Sequence, residues 1–180
     1  VFELDPTRQT VLVIGGSLGA RTLNEALSQS IDAIVKSELQ FIWQCGKGYY
    51  HSILEAIPDM PKQIKLMPFI SRMDAAYAAA DIVVSRAGAL SVSELCLIGK
   101  PSVFVPSPNV AEDHQTKNAL ALVTNEAAVM VKDVDAVEVL TDTVFDLLKN
   151  APQKAKLAEN IKKMAKPNAT IDIVNACENL

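Results

Sequence analysis

Six short, almost wholly apolar runs recur along the chain, each followed by a stretch of helical periodicity. This alternation constrains the fold more than any other feature. The runs are 10–15 (TVLVIG), 40–46 (QFIWQCG), 63–68 (QIKLMP), 81–85 (DIVVS), 101–106 (PSVFVP) and 127–132 (AAVMVK). A strand that is apolar at successive positions has no face to give to water, so it belongs in a sheet covered on both sides. After the first run, Leu23, Leu27, Ile31 and Ile34 line one face of a single expected helix. Further helices are expected over 49–57, 73–80, 90–98, 112–124 and 135–149, and two more after Pro152, broken by Lys166-Pro167-Asn168. Strands alternating with helices through right-handed crossovers give a doubly wound, six-stranded parallel α/β sheet of the Rossmann-like kind. Residues 10–165 carry that pattern. Residues 1–9, which begin Val1-Phe2-Glu3 without an initiator Met, are expected to be a linker, and the chain a fragment.

Charge narrows the function. Lys plus Arg is 17 and Asp plus Glu is 21, a formal net charge of −4. A mildly acidic chain lacks the clustered basic face that nucleic acid needs, and no nucleic-acid partner is expected. Lys154, Lys156, Lys162, Lys163 and Lys166 read as a solvated helix face. Cys45, Cys96 and Cys177 are far apart and form no CxxC or Cys/His spacing, so no metal site is expected. Free thiols point to a reducing compartment, the cytoplasm. There is no apolar run of the ~20 residues that a membrane span requires.

In sheets of this kind ligands sit beyond the carboxyl ends of the strands, where loops enter helices. The first strand leads into Gly15-Gly16-Ser17-Leu18-Gly19-Ala20-Arg21, a glycine turn ahead of a helix N-terminus and hence a cradle for an anion. It is neither a P-loop nor GxGxxG, and a turn required only for strand–helix packing has the same appearance. The fourth strand leads into Arg86-Ala87-Gly88-Ala89-Leu90-Ser91-Val92-Ser93-Glu94, a second small-residue turn opening a helix on the same sheet edge. Two cradles on one edge can share a diphosphate. Glu94 lies within reach of a neighbouring ribose diol, though a Glu early in a helix also simply favours the dipole. After the fifth strand comes Glu112-Asp113-His114-Gln115-Thr116-Lys117-Asn118, polar enough for sugar hydroxyls. His114 is a candidate general base, weighed against the commoner surface or capping histidine. In the loop after the third strand, Phe69 or Ile70 can cover a base, or can simply face the core. No Ser/His/Asp set and no close carboxylate pair in a suitable context is present, which leaves covalent and metal-dependent catalysis unsupported.

Taken in order, GGSLGARTLNEAL, PFISRMDAAYAAADIVVSRAGALSVSEL and GKPSVFVPSPNVAEDHQTKNA resemble the C-terminal domain of the MurG family of peptidoglycan N-acetylglucosaminyltransferases. The resemblance runs from about Thr10 to Val131. It implies one half of a two-domain GT-B glycosyltransferase that moves N-acetylglucosamine, with inversion, from UDP-GlcNAc to lipid I. It implies roles residue by residue: Gly16, Ser17, Gly19 and Arg21 at the diphosphate, and the Ile70 backbone at the uracil. Gly88, Ala89, Leu90 and Ser91 would give N–H groups to the phosphates, Glu94 would hold the ribose, and Gln115 the sugar hydroxyls. Some family members carry Gln-Gln where this chain has His114-Gln115, so His114 inherits no certain role. By the same resemblance the candidate base and the undecaprenyl-linked acceptor belong to an absent N-terminal domain, on which residues 166–180 would pack. The full-length protein would sit peripherally on the cytoplasmic face of the inner membrane, needing no cofactor, and this half alone would transfer nothing. The alternatives are the donor module of another UDP-sugar transferase, a UDP-sugar epimerase, or a non-catalytic nucleotide-binding subunit that needs a partner. An NAD oxidoreductase lacks both GxGxxG and its ribose acid.

Overall fold

The computed structural model describes residues 1–16 and 18–178 of the 180-residue chain. Six strands, β1 (Thr10–Ile14), β2 (Gln40–Gln44), β3 (Ile64–Met67), β4 (Ile82–Ser85), β5 (Ser102–Phe104) and β6 (Val129–Met130), form one sheet in the order β3-β2-β1-β4-β5-β6. Every pairing is parallel, as apolar runs joined by helices require. The chain winds outward from β1 in one direction and then from β4 in the other, so the order reverses between these two strands.

Period-two alternation divides the strand residues between two cores. Val11 and Val13 face one way with Phe41, Trp43, Ile82 and Val84, against α1 (Arg21–Gln29), α2 (Ile31–Ser37), α3 (Tyr50–Ala56) and α7 (Ala136–Lys149). Leu12 and Ile14 face the other way with Ile42, Val83 and Phe104, against α4 (Met73–Ala79), α5 (Ala89–Ile98) and α6 (His114–Thr124). The helix α8 (Ala151–Lys163) seals one end by burying Leu157 in the first core and Ile161 in the second. Fully burying each large apolar side chain contributes on the order of 1.5–3 kcal/mol.

Three expectations change. The helix expected across Leu23–Ile34 is two helices, broken at Ser30, whose N–H bonds back to the Leu27 carbonyl while its hydroxyl accepts from Thr141 Oγ1 of α7 at 2.8 Å. A local bond and a tertiary partner thus interrupt a pattern that is continuous by periodicity. The helix expected from residue 112 begins at His114, because Glu112 and Asp113 take left-handed φ values of 53° and 50°. Residues 1–9, expected as a linker, are pinned to the body. Phe2 is buried in the second core, and the Gln40 side chain accepts from Asp5 N–H at 2.6 Å while donating to the Asp5 carbonyl at 2.8 Å. The tail follows expectation, with α9 (Ala169–Glu178) beyond the Lys166-Pro167-Asn168 break.

Candidate functional site

A cleft of about 550 Å³ opens at the carboxyl edge of the sheet, above the point where the strand order reverses. It is walled by the β1–α1 loop, by Ser85, Arg86, Gly88 and Ser91 at the entrance to α5, and by Ser107, Pro108, Asn109 and Gln115 beyond β5.

Two helices point their N-termini at it. The first rung of α1 runs from Asn24 N–H to the Ala20 carbonyl, and that of α5 from Val92 N–H to the Gly88 carbonyl. The N–H groups of Arg21, Thr22 and Leu23, and of Ala89, Leu90 and Ser91, therefore precede the helical ladders. Neither N-cap, Ala20 or Gly88, supplies a side-chain acceptor, and neither first turn holds an acidic residue. Among the other helices α2, α4 and α7 each carry an Asp or Glu in the first turn, whereas α3 and α6, like α1 and α5, have neither a side-chain cap nor an acid there. Most helices satisfy these groups from within, with a capping oxygen or a nearby carboxylate. Two uncapped, acid-free entrances on one cleft make a site for an anion with more than one charged group.

The loops are held by polar side chains, Asn24 buried and Gln115 and Asn118 half-buried. Gly19 has φ +82°, and a Cβ there would meet the Cys45 carbonyl and come within 2.8 Å of Tyr49 Cδ2. Gly46, φ +88°, is packed against Gly19 in return. Only residues without a Cβ let the β1–α1 and β2–α3 loops touch in this way. Asn24, 4% exposed, fixes the contact by donating to the Cys45 carbonyl at 2.9 Å and accepting from Trp43 Nε1 at 2.9 Å. On the other wall, Gln115 Oε1 accepts from Ala87 N–H (3.2 Å) and Ser107 N–H (2.9 Å). One turn along α6, Asn118 donates to the Ala87 carbonyl at 3.0 Å. Ala87, fully buried, is thus gripped at both ends of its backbone immediately ahead of α5.

Of the candidates from sequence, Gly16, Gly19, Arg21, Gly88, Ser91 and Gln115 line the cleft. Ser17 lies outside the described residues. Ala89 and Leu90 stand exposed on the first turn of α5, and Ile70 is buried in the second core. Glu94, also exposed, accepts from Tyr77 Oη at 2.8 Å, and burial, reinforced by that carboxylate, holds the Tyr77 phenol above its ordinary pKa. His114 is exposed and off the cleft wall, with Nδ1 2.8 Å from the Ala111 carbonyl, so it closes its own loop. Arg21 is paired with Glu25 at 2.7 Å. Sequence reasoning gave no role to Thr22, Asn24, Tyr49, Ser107, Asn109 or Asp133, and placed Arg86 and Asn118 only as members of a turn and of a polar segment. A polar Asn beside Leu23 on an amphipathic helix was a signal for Asn24. For Asp133, 111 residues from its partner Thr22, the sequence holds none.

The glycosyltransferase family 28 C-terminal domain matches residues 10–172, the whole sheet and its helices. The chain belongs to this family. Its relatives include proteins of Porphyromonas gingivalis, 52% identical over 166 residues (92% of this chain, 44% of the relative), and Flavobacterium psychrophilum, 47% identical over 175 residues (97% and 47%). Both are named UDP-N-acetylglucosamine–N-acetylmuramyl-(pentapeptide) pyrophosphoryl-undecaprenol N-acetylglucosamine transferase. Among solved structures, Acinetobacter baumannii MurG matches with a TM-score of 0.82 at 34% identity, over 99% of this chain and 52% of that one. This family 28 domain therefore spans about half the length of the curated relatives it matches. Among its described residues no helix is long and apolar enough to cross a membrane.

Proposed function

We propose that this family 28 domain is the donor-binding half of an inverting N-acetylglucosaminyltransferase that carries N-acetylglucosamine from UDP-GlcNAc to lipid I in peptidoglycan synthesis. The observation that carries the reading is the convergence of two uncapped helix entrances on one cleft at the reversal point of the sheet. Relatives near 50% identity whose names state that reaction support it.

In this reading the diphosphate bridges the entrance of α1 and the 88–91 turn, with Arg21 beside it. Glu94, its carboxylate steadied by Tyr77, holds the ribose diol, and the backbone at Ile70 meets the uracil. Gln115 has its amide oxygen committed to two backbone N–H groups, which leaves Nε2 to donate to a sugar hydroxyl. His114 stays at the rim without a chemical role. As the glycosidic bond breaks, negative charge grows on the leaving UDP. Fixed N–H groups and two helix dipoles meet that charge with no reorganisation of water, and this domain would contribute to the rate in that way. The attacking hydroxyl and its base would come from the part of the protein that holds the undecaprenyl-linked acceptor, on the cytoplasmic face of the membrane. The exposed apolar residues of α9, Ile171, Ile173 and Val174, would be covered by that part.

Calorimetry of the 180-residue chain against UDP, UDP-GlcNAc and NADH tests the reading. Both uridine nucleotides are expected to bind and NADH is not. NADH binding without UDP binding sinks it.

A further inference from the structure

The donor reading explains the helix entrances but leaves a carboxylate in the cleft wall unaccounted for. Asp133, whose side chain is 18% exposed, lines the same cleft, where a negative charge opposes an incoming anion. Both of its oxygens are engaged. Oδ2 accepts from Thr22 Oγ1 at 3.0 Å, and Oδ1 accepts from Arg86 Nη1 in an ion pair. Thr22 is the second residue of α1, and Arg86 stands two residues ahead of Gly88, the N-cap of α5. The same Arg86 nitrogen donates to the carbonyls of Val105 (2.9 Å) and Pro106 (3.3 Å), just beyond β5. A single carboxylate from the loop after β6 thus joins the entrances of both helices and, through Arg86, the end of β5.

A diphosphate that bonds both entrances needs them at one separation, because hydrogen bonds weaken steeply once distance and angle depart from their optimum. Thr22 and Gly88 belong to different strand–helix units, so the sheet fixes their spacing only through the two loops that connect its strands to these helices. We propose that Asp133 is a positioning residue, which clips α1 to the β4–α5 loop and so sets the spacing of the two N–H cradles that the pyrophosphate bridges. The proposal rests on the donor-site reading above. Asp133 does not touch the donor. Its ion pair is largely shielded from solvent, with the Arg86 side chain 15% exposed, so salt screens it little.

The test compares UDP with UMP by calorimetry in the wild-type chain and in Asp133→Ala, Asp133→Asn and Thr22→Val. UMP has no second phosphate to bridge the cradles, so it reports the rest of the site. Asp133→Ala is expected to weaken UDP binding about tenfold, the equivalent of one lost charge-assisted hydrogen bond, and UMP binding by less than about threefold. Asp133→Asn keeps an oxygen for Arg86 and offers an amide to the Thr22 hydroxyl, and it should recover most of the UDP affinity. Thr22→Val cuts only the α1 arm at nearly constant volume, and should lower the UDP-to-UMP affinity ratio even if Asp133→Ala fails to fold. The proposal is overturned if Asp133→Ala binds UDP as tightly as wild type or more tightly, which would make the carboxylate only a repelling charge. It is overturned equally if UDP and UMP weaken in parallel, or if the Asn variant is as poor as the Ala variant. Failure of the wild-type chain to bind UDP would instead overturn the donor reading itself.

Discussion

Replacing Gly19 with alanine should damage both stability and ligand binding, by an amount that the structure lets one separate into parts. At φ +82° an L-residue carries a backbone cost of about 1–2 kcal/mol. The added Cβ also meets the Cys45 carbonyl and lies 2.8 Å from Tyr49 Cδ2, and relieving such overpacking costs about 1–3 kcal/mol. The sum is about 2–5 kcal/mol, which in a domain of this size lowers Tm by roughly 4–20 °C. Two other glycines isolate the terms. Gly16 has φ +78° but nothing within 4 Å of its Cβ position, so Gly16→Ala should show the backbone cost alone, roughly 2–8 °C. Gly48 has open space and no left-handed φ, so Gly48→Ala should stay within about 0.5 kcal/mol of wild type. Thermal unfolding followed by circular dichroism gives the order, and calorimetry with UDP shows whether loop displacement follows the clash. A Gly19→Ala protein as stable as Gly48→Ala, or no worse than Gly16→Ala, would refute the view that the two loops touch through glycine.

Tyr77 should ionise above the ordinary phenol range in an ultraviolet titration, since burial comes first and the Glu94 carboxylate second in raising it. A raised folded-state value stabilises the protein below the unfolded phenol's pKa of about 10, so stability should fall as pH rises beyond that point, and Glu94→Gln should bring the Tyr77 transition down. The same Glu94 lost to alanine should weaken UDP binding by roughly 1–3 kcal/mol while leaving the melting temperature little changed, and the reverse pattern would make Glu94 structural. An aromatic-disulfide thiol reagent should label one cysteine quickly in the native chain. Cys177 is exposed, whereas Cys45 and Cys96 are buried, and burial pushes the Cys45 thiol up to about 11.

The sheet was legible because each strand is apolar on successive residues and each is bounded by a turn. Val11 to Ile14 can face two cores only if helices cover both sides, and the structure places Val11 and Val13 in one core and Leu12 and Ile14 in the other. The exact ends were less legible. The run at 127–132 holds only two residues in ladder geometry, Val129 and Met130, at the sheet's edge. The break at Ser30 was invisible to periodicity, because what ends the helix there is a hydroxyl on α7 more than a hundred residues later.

The cleft divides along the same line. Its glycines could be read in sequence because a positive φ and a close loop approach both select against a side chain, leaving a local mark. Its polar clamps could not. Gln115 was expected to read sugar hydroxyls, and its type and place suited that role, yet the amide oxygen is spent on the N–H groups of Ala87 and Ser107, eight residues away and more. Asn118, Asn24 and Asp133 likewise act on backbone or side chains of other strand–helix units. Such residues carry no local signature, since what they satisfy is a polar group brought near only by the folded sheet. A cleft of this kind is therefore two things at once: an entrance of uncapped N–H groups, which sequence announces through glycine and alanine, and a frame of polar bonds that keeps those groups in place. Both cations on the cleft wall, Arg21 and Arg86, are paired with carboxylates, Glu25 and Asp133. In the donor reading, the diphosphate would then be held mainly by oriented backbone dipoles and little by free charge, so its affinity would depend on that frame more than on any single ligand-facing side chain.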